Sequence, residues 1–160
     1  MIDAKSNEFS LREATPTDGD KMIALLPQLA AFELPPKRQS EHLWHGDRDM
    51  MRDWVEGNRP ECFAVAAVAD DSRLGGYAFV SMREELLSHA PSAHLEVLVV
   101  AEHGRRAGLG ARLCAAVEDE AKVRGAMSMT LHVFGNNKRA RALYAKIGYD
   151  EELRRAIKHL

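Results

Sequence analysis

A chain of 160 residues, 46% apolar and 29% charged, is long enough for one well-cored domain and short for two. Its formal charge of −2 offers no general attraction to nucleic acid or an anionic membrane, and its two cysteines, Cys62 and Cys114, are too few for a disulfide framework. No apolar run nears the ~18 residues of a membrane span, and the opening residues, with Asp3, Lys5, Asn7 and Glu8, lack the apolar centre of a secretion signal, so the expected home is the cytoplasm.

Residues 1 to 8 are polar and are expected to be a flexible N-terminus, with a single domain over 9 to 160. Phe9 to Ala14 has the pattern of a short strand, and Thr15-Pro16-Thr17-Asp18 supplies turn and cap residues for a helix through Met22, Ile23, Leu25, Leu26, Leu29 and Phe32. Pro27 inside that run predicts a kink or break. Pro35-Pro36 ends it. From Glu41 to Glu56 the spacing predicts a helix or helix pair carrying Leu43, Trp44, Met50, Met51, Trp54 and Val55 among five acids, which either draw in a cationic amine or form a solvated face.

Cys62 to Ala69 and Leu74 to Met82 flank Asp70-Asp71-Ser72-Arg73 as an antiparallel hairpin, with Gly75-Gly76 marking a bulge or a close approach. His94 to Val100 is apolar enough to be a central strand buried on both faces. A helix follows with Leu109, Leu113, Ala116, Val117 and Ala121 on one stripe and Gly125 as its stop, then a strand from Met127 to Phe134. Asn136 and Asn137 can cap a further helix with Ala140, Leu143, Tyr144 and Ile147, closed by Gly148, and Tyr149 to Leu160 is expected to form a last strand.

The junction from Val99 to Gly110 carries the chemistry. A helix start leaves backbone N–H groups unpaired and partly positive, and glycines let an anion approach the main chain. A Walker loop fails because Leu109 stands where a glycine is required and no Lys-Ser or Lys-Thr follows. A dinucleotide fingerprint fails for want of a small residue at Leu113 and an acid about twenty residues on. What remains is Arg105-x-x-Gly108-x-Gly110, and downstream Asn137, Ala140, Leu143-Tyr144 and Gly148-Tyr149 form a second pattern. Together, and with the opening Arg12-Glu13-Ala14-Thr15, they resemble the signatures of the GCN5-related N-acetyltransferase (GNAT) superfamily.

The resemblance implies an α/β fold with a mixed central sheet, splayed parallel strands and flanking helices, and an enzyme moving an acetyl group from acetyl-CoA to a primary amine without a covalent enzyme intermediate. It implies that the amides of Arg105, Arg106, Ala107, Gly108, Leu109 and Gly110 hold the pyrophosphate, that main-chain groups of Leu98, Val99 and Val100 meet the cofactor and the oxyanion, and that Asn137 and Tyr144 flank the pantetheine. Tyr144 takes the role of general acid. A phenol near pKa ~10 is protonated where a thiol near ~8.5 leaves.

Glu96, a carboxylate in an otherwise apolar strand, must be paired, protonated or employed, and is the candidate general base. His94, two residues earlier on the same face, is the reserve, and His132 is a packing histidine. No metal is needed: His42 and His45 could form a ligand pair, but no third ligand stands at suitable spacing. The expected partner is an amine-bearing small molecule or protein, with no nucleic acid or membrane and a homodimer allowed by the resemblance. A catalytically silent CoA-binding sensor is the competing reading. A basic nucleic-acid face built from Arg105, Arg106, Lys138, Arg139 and Arg141 is a third.

Overall fold

The computed structural model describes residues 8–160, so all but the last residue of the expected flexible N-terminus lies outside the described residues. Five strands lie side by side in chain order: β1 (Phe9–Glu13), β2 (Cys62–Ala69), β3 (Leu74–Glu84), β4 (Pro91–Val100) and β5 (Met129–Leu131). The first four pair antiparallel, and β5 joins β4 in parallel. The crossover between those parallel strands is the helix α3 (Leu109–Val123), while α1 (Gly19–Leu25) and α2 (His45–Val55) precede β2. A fourth helix, α4 (Lys138–Lys146), follows β5.

Pro27 acts as the sequence predicts. The α-helix stops at Leu25 and Leu26–Ala30 continues as a 3₁₀ turn, because proline supplies no N–H to the α ladder. Asp18 closes the turn before α1: its carboxylate accepts from the Thr15 N–H at 2.8 Å and pairs with Arg12 at 2.8 Å.

Two apolar clusters sandwich the sheet. Phe63, Val65 and Ala67 of β2, Ala78 and Val80 of β3, and Ala93 and Leu95 of β4 face α3, which presses Leu109, Leu113, Cys114, Val117 and Ala121 onto them. Ala64, Ala66, Tyr77, Phe79, Val97 and Val99 face the other way, against Met22 and Leu26 of the α1 region and Met51 and Trp54 of α2. In β4 the odd residues change sides between Leu95 and Val97. A regular strand cannot do this, since its side chains alternate strictly. The cause is a register shift against β3, where Phe79 pairs with Val97 and Val80 with Leu95, leaving Glu96 as the inserted residue of a β-bulge.

The Gly75-Gly76 pair meets both expectations. The β2–β3 register shifts there, and a Cβ on Gly76 would stand 2.6 Å from the Val99 carbonyl oxygen.

Two expectations are corrected. The strand expected over Met127 to Phe134 shrinks to Met129–Leu131. Tyr149 to Leu160 forms no strand: residues 150–160 are exposed and irregular, with Leu153, Ile157 and Leu160 open to solvent. Glu151, Glu152, Arg154, Arg155 and Lys158 leave that segment no apolar face to bury, and a three-residue β5 offers little edge to pair with.

Gly76→Ala is expected to lower stability by about 2–3 kcal/mol in urea unfolding, because the new methyl meets backbone that no side-chain rotation can move. A loss below about 0.5 kcal/mol would mean that β3 and β4 can separate there.

Candidate active site

The loop after β4 is a 3₁₀ turn over Glu102–Gly104 followed by a helix start of unusual hand. Arg106 and Gly108 both have positive φ, 67° and 65°, and Gly108 is the N-cap of α3. Left-handed residues near a helix start turn N–H groups toward one concave side, the geometry of an anion nest. For Arg106 that conformation costs on the order of 1–3 kcal/mol. Ala107 and Leu109, 7% and 1% exposed, pin the loop to the core, each buried Leu of α3 worth roughly 1.5–3 kcal/mol, so the anchoring outweighs the strain.

The space over Gly108 is open, since a Cβ there would meet nothing within 4 Å. At Gly110 a Cβ would crowd Leu143 of α4 at 3.0 Å, so the glycine is what lets α4 close on the helix start. These features suit a diphosphate: exposed backbone, a helix N-terminus, and Arg105 and Arg106 beside it.

The β4–β5 ladder consists of Ala93 with Met129, His94 with Thr130 and Leu95 with Leu131. Beyond that point β5 ends and β4 continues to Val100, leaving the Glu96–Val100 edge, with Leu98, Val99 and Val100, without a strand partner on that side. A gap therefore opens between the two faces of the sheet. Tyr144 lies on the α3 side of it, packed against the cluster containing Leu113 and Cys114, its ring edge-on to Tyr149 at 5.8 Å. Burial, with the neighbouring Cys114, pushes the Tyr144 hydroxyl above its ordinary range. It is protonated at neutral pH. The Tyr149 hydroxyl donates to Glu118 at 3.0 Å, and the Tyr149 N–H bonds the Tyr144 carbonyl at 2.9 Å, which fixes the end of α4.

Asn137 is the helix cap, accepting from the Ala140 N–H at 3.3 Å.

Glu96 emerges on the opposite face. Its Oε1 accepts from the Ser81 hydroxyl at 2.5 Å and from the Arg83 guanidinium, which also donates to Ser81 at 3.1 Å. The carboxylate side chain is 11% exposed, so this acid is paired rather than stranded. Tyr144 and Glu96 thus stand on the two sides of the gap, not in contact. His94, 5% exposed, is pushed down to about 4 by burial, so it is neutral, and its Nδ1 lies 2.7 Å from the Thr130 hydroxyl. His132 stands edge-on to it with ring centroids 4.8 Å apart, and is itself exposed. His42 and His45 are used locally, by the Gln39 N–H and the Glu41 carbonyl, and no group of three or more metal-binding side chains occurs among the described residues. No helix among them is long and apolar enough to cross a membrane.

Pattern analysis missed Ser81, Arg83 and, above all, Asp47. Asp47 sits in the first turn of α2, one turn before Met51, which touches the buried Tyr77 hydroxyl at 3.7 Å. It has no hydrogen-bond or ion-pair partner among the described residues. Burial first, then the charge of Glu96, push its carboxyl from 3.8 up to about 7, against a smaller opposing effect of His45.

Comparison with known proteins adds the family. A family model for the acetyltransferase (GNAT) family matches residues 26–149. YhfO, an uncharacterised N-acetyltransferase of Bacillus subtilis (strain 168), is 41% identical over 58 residues, which span 36% of this chain and 39% of that one. The aminoglycoside 6'-N-acetyltransferase AAC(6')-Ih of Acinetobacter baumannii superposes with a TM-score of 0.71 at 19% identity, over 95% of this chain and 97% of that one. The aminoglycoside N-acetyltransferase AAC(6')-Iy in complex with CoA gives 0.72 at 20% identity, over 95% and 94%.

The sign of the Asp47 effect is fixed. The folded state binds this proton more tightly than the unfolded chain, so the contribution of Asp47 to stability declines as pH rises from about 4 through about 7. Asp47→Asn is expected to remove that decline and to stabilise the protein at pH 8 by on the order of 2 kcal/mol, read from thermal melts across pH. Parallel melting profiles for the two proteins would contradict it.

Proposed function

Because the chain belongs to the acetyltransferase (GNAT) family, we propose that it transfers an acetyl group from acetyl-CoA to the primary amine of an acceptor, by direct attack and with no covalent enzyme intermediate. The observation that carries this reading is the end of the β4–β5 ladder at Leu95 and Leu131, beside an anion nest and a protonated tyrosine. In this reading the N–H groups of Arg105 to Gly110 bind the diphosphate, and the arm bearing the thioester runs along the unpaired edge of β4 through Leu98, Val99 and Val100. A main-chain N–H of that edge faces the developing oxyanion. Asn137 keeps the start of α4 in position.

On the cofactor side Tyr144 gives its proton to the departing thiolate. Its dry surroundings suit that task, since they favour the neutral phenol until the moment of transfer. On the acceptor side Glu96, held by Ser81 and Arg83, faces the amine and draws the proton from its nitrogen as the N–C bond forms. Asp47, the one acid of α2 without an arginine partner, gives that side a carboxylate, which suits an amine acceptor of either small-molecule or protein origin. Both cysteines are free and buried, in keeping with the reducing cytoplasm in which we place the protein.

Incubation with acetyl-CoA and a panel of polyamine, aminoglycoside, peptide N-terminal and lysine amines is expected to release free thiol. Tyr144→Phe should lower kcat by about 10²- to 10⁴-fold while leaving CoA affinity within a factor of about three. Tight CoA binding with no thiol release from any amine would favour the sensor reading, and an unchanged kcat would remove Tyr144 from the chemistry.

A further inference from the structure

The sheet ends on β1, and the hydrogen bonding of that strand shows which of its main-chain groups are spent. The Ala14 N–H donates to the Ala64 carbonyl at 2.9 Å, one step beyond the pair Glu13 and Val65. Bonded and non-bonded pairs alternate in an antiparallel ladder, so Ser10 and Arg12 also turn their main-chain groups toward β2, whereas Phe9, Leu11 and Glu13 turn theirs away. The outward carbonyls at the two ends are in use: that of Phe9 accepts from Arg112 at 2.9 Å and that of Glu13 from Arg12 at 3.1 Å. Leu11, between them, presents an N–H and a C=O to which no strand among the described residues is paired.

Edge strands are commonly blunted by a proline, a bulge or a free charge, and β1 has none of these. Its register against β2 is unbroken from Phe9 to Glu13, and it contains no proline. Its two charged side chains are paired within the chain, Arg12 with Asp18 at 2.8 Å and Glu13 with Arg124 at 3.5 Å. On the α3 side of the strand lies a cleft of about 310 Å³ whose apolar lining includes Leu11, Phe63, Val65, Ala116 and Val123. An added strand would find main-chain groups to bond and an apolar recess beside them.

We propose that β1 pairs with β1 of a second copy of this chain, antiparallel about a two-fold axis through Leu11. That axis sets Leu11 opposite Leu11, where the N–H of each donates to the C=O of the other, and sets Phe9 of one copy opposite Glu13 of the other. The pairing is complementary in charge as well. The Glu13 carboxylate of one copy arrives where the Arg112 guanidinium of the other is held on the Phe9 carbonyl, and the two-fold axis repeats the contact. Arg12 lies diagonally across from its counterpart, but its pairing with Asp18 offsets their repulsion. Leu11 of each copy covers the open side of the other's cleft. Two five-stranded sheets become one of ten strands, and the opening between β4 and β5 lies three strands from the junction in each copy, so the association covers neither opening. A five-residue edge makes a small interface, which places the dissociation constant on the order of 1–100 μM.

Sedimentation velocity over about 1–300 μM should show a monomer passing to a dimer as concentration rises. Amide exchange read by NMR identifies the edge. The Leu11 amide should exchange freely at the low end of that range and at least about tenfold more slowly at the high end, while the Ser10 and Arg12 amides, bonded to β2, stay protected throughout. Leu11→Lys sets like charges opposite one another and should abolish the dimer over this range. Glu13→Arg changes a side chain that is 69% exposed, so the fold should survive it, and by bringing a second cation beside Arg112 it should weaken association by about tenfold or more. A monomer at every concentration with Leu11 exchanging freely would overturn the proposal. So would a Leu11 amide that is slow at every concentration in a monomer, since the chain would then be covering its own edge. A dimer indifferent to both variants would overturn it too, because another surface would be joining the copies. These measurements contain no acetyl-CoA, so their outcome is independent of the acetyl-transfer reading.

Discussion

The separation of β4 from β5 is the constraint on which the rest depends. Three residue pairs hold the strands together, and then one of them stops. A sheet normally seals one of its faces from the other, because every strand interior is closed by its neighbour's hydrogen bonds. Here the seal fails at one place, just before the loop that carries Arg106 and Gly108 in the left-handed region. In the proposed reaction, groups that pack into different cores would act there from opposite faces of the sheet.

The two sides of the opening differ in their electrostatics. Toward α3 the neighbours of Tyr144 are Leu113, Cys114 and Tyr149; burial and Glu118 push the Cys114 thiol up to about 12, and the Glu118 carboxylate is engaged by the Tyr149 hydroxyl. In the proposed reaction a departing thiolate would have few stabilising partners in such surroundings and would take a proton readily. Toward α2 the setting is charged: Glu96 pairs with Arg83 and Ser81, and its charge helps to raise the carboxyl of Asp47. That side suits a group arriving as an ammonium and leaving as a neutral amide. The division follows from burial and pairing, with no help from the net charge of the chain.

Much of this was legible in the residues. The α3 stripe, the Pro27 break, the hairpin around Asp70 to Arg73 and the Asn137 cap follow from periodicity and from what proline and asparagine can do. Glu96 stood out because it interrupts an apolar strand. Its partners did not, since Ser81 and Arg83 lie on β3 and reach it through strand pairing that no local pattern encodes. Asp47 was hidden among five acids of one segment. Only the packing of α2 on the sheet separates the acid held near Glu96 from Asp49 and Asp53, which pair with Arg48 and Arg59. The last strand was wrongly expected because a charged run after a glycine stop resembles a weak strand, and its absence reflects how little apolar surface Leu153 and Ile157 could bury.

The bulge at Glu96 joins fold to site. In a regular strand Val97 and Val99 would follow Ala93 and Leu95 toward α3, and Leu98 and Val100 would face α1 and α2. One inserted residue exchanges those assignments. Val97 and Val99 complete the core beneath Met51 and Trp54, while Leu98 and Val100 join the α3 cluster next to the loop that follows β4. Because a bulge also bends its strand, the same insertion turns β4 away at the point where the parallel ladder to β5 ends. The residue left over by this irregularity is the acid at the opening. The distortion at the end of the ladder and the carboxylate beside it therefore share one position in β4.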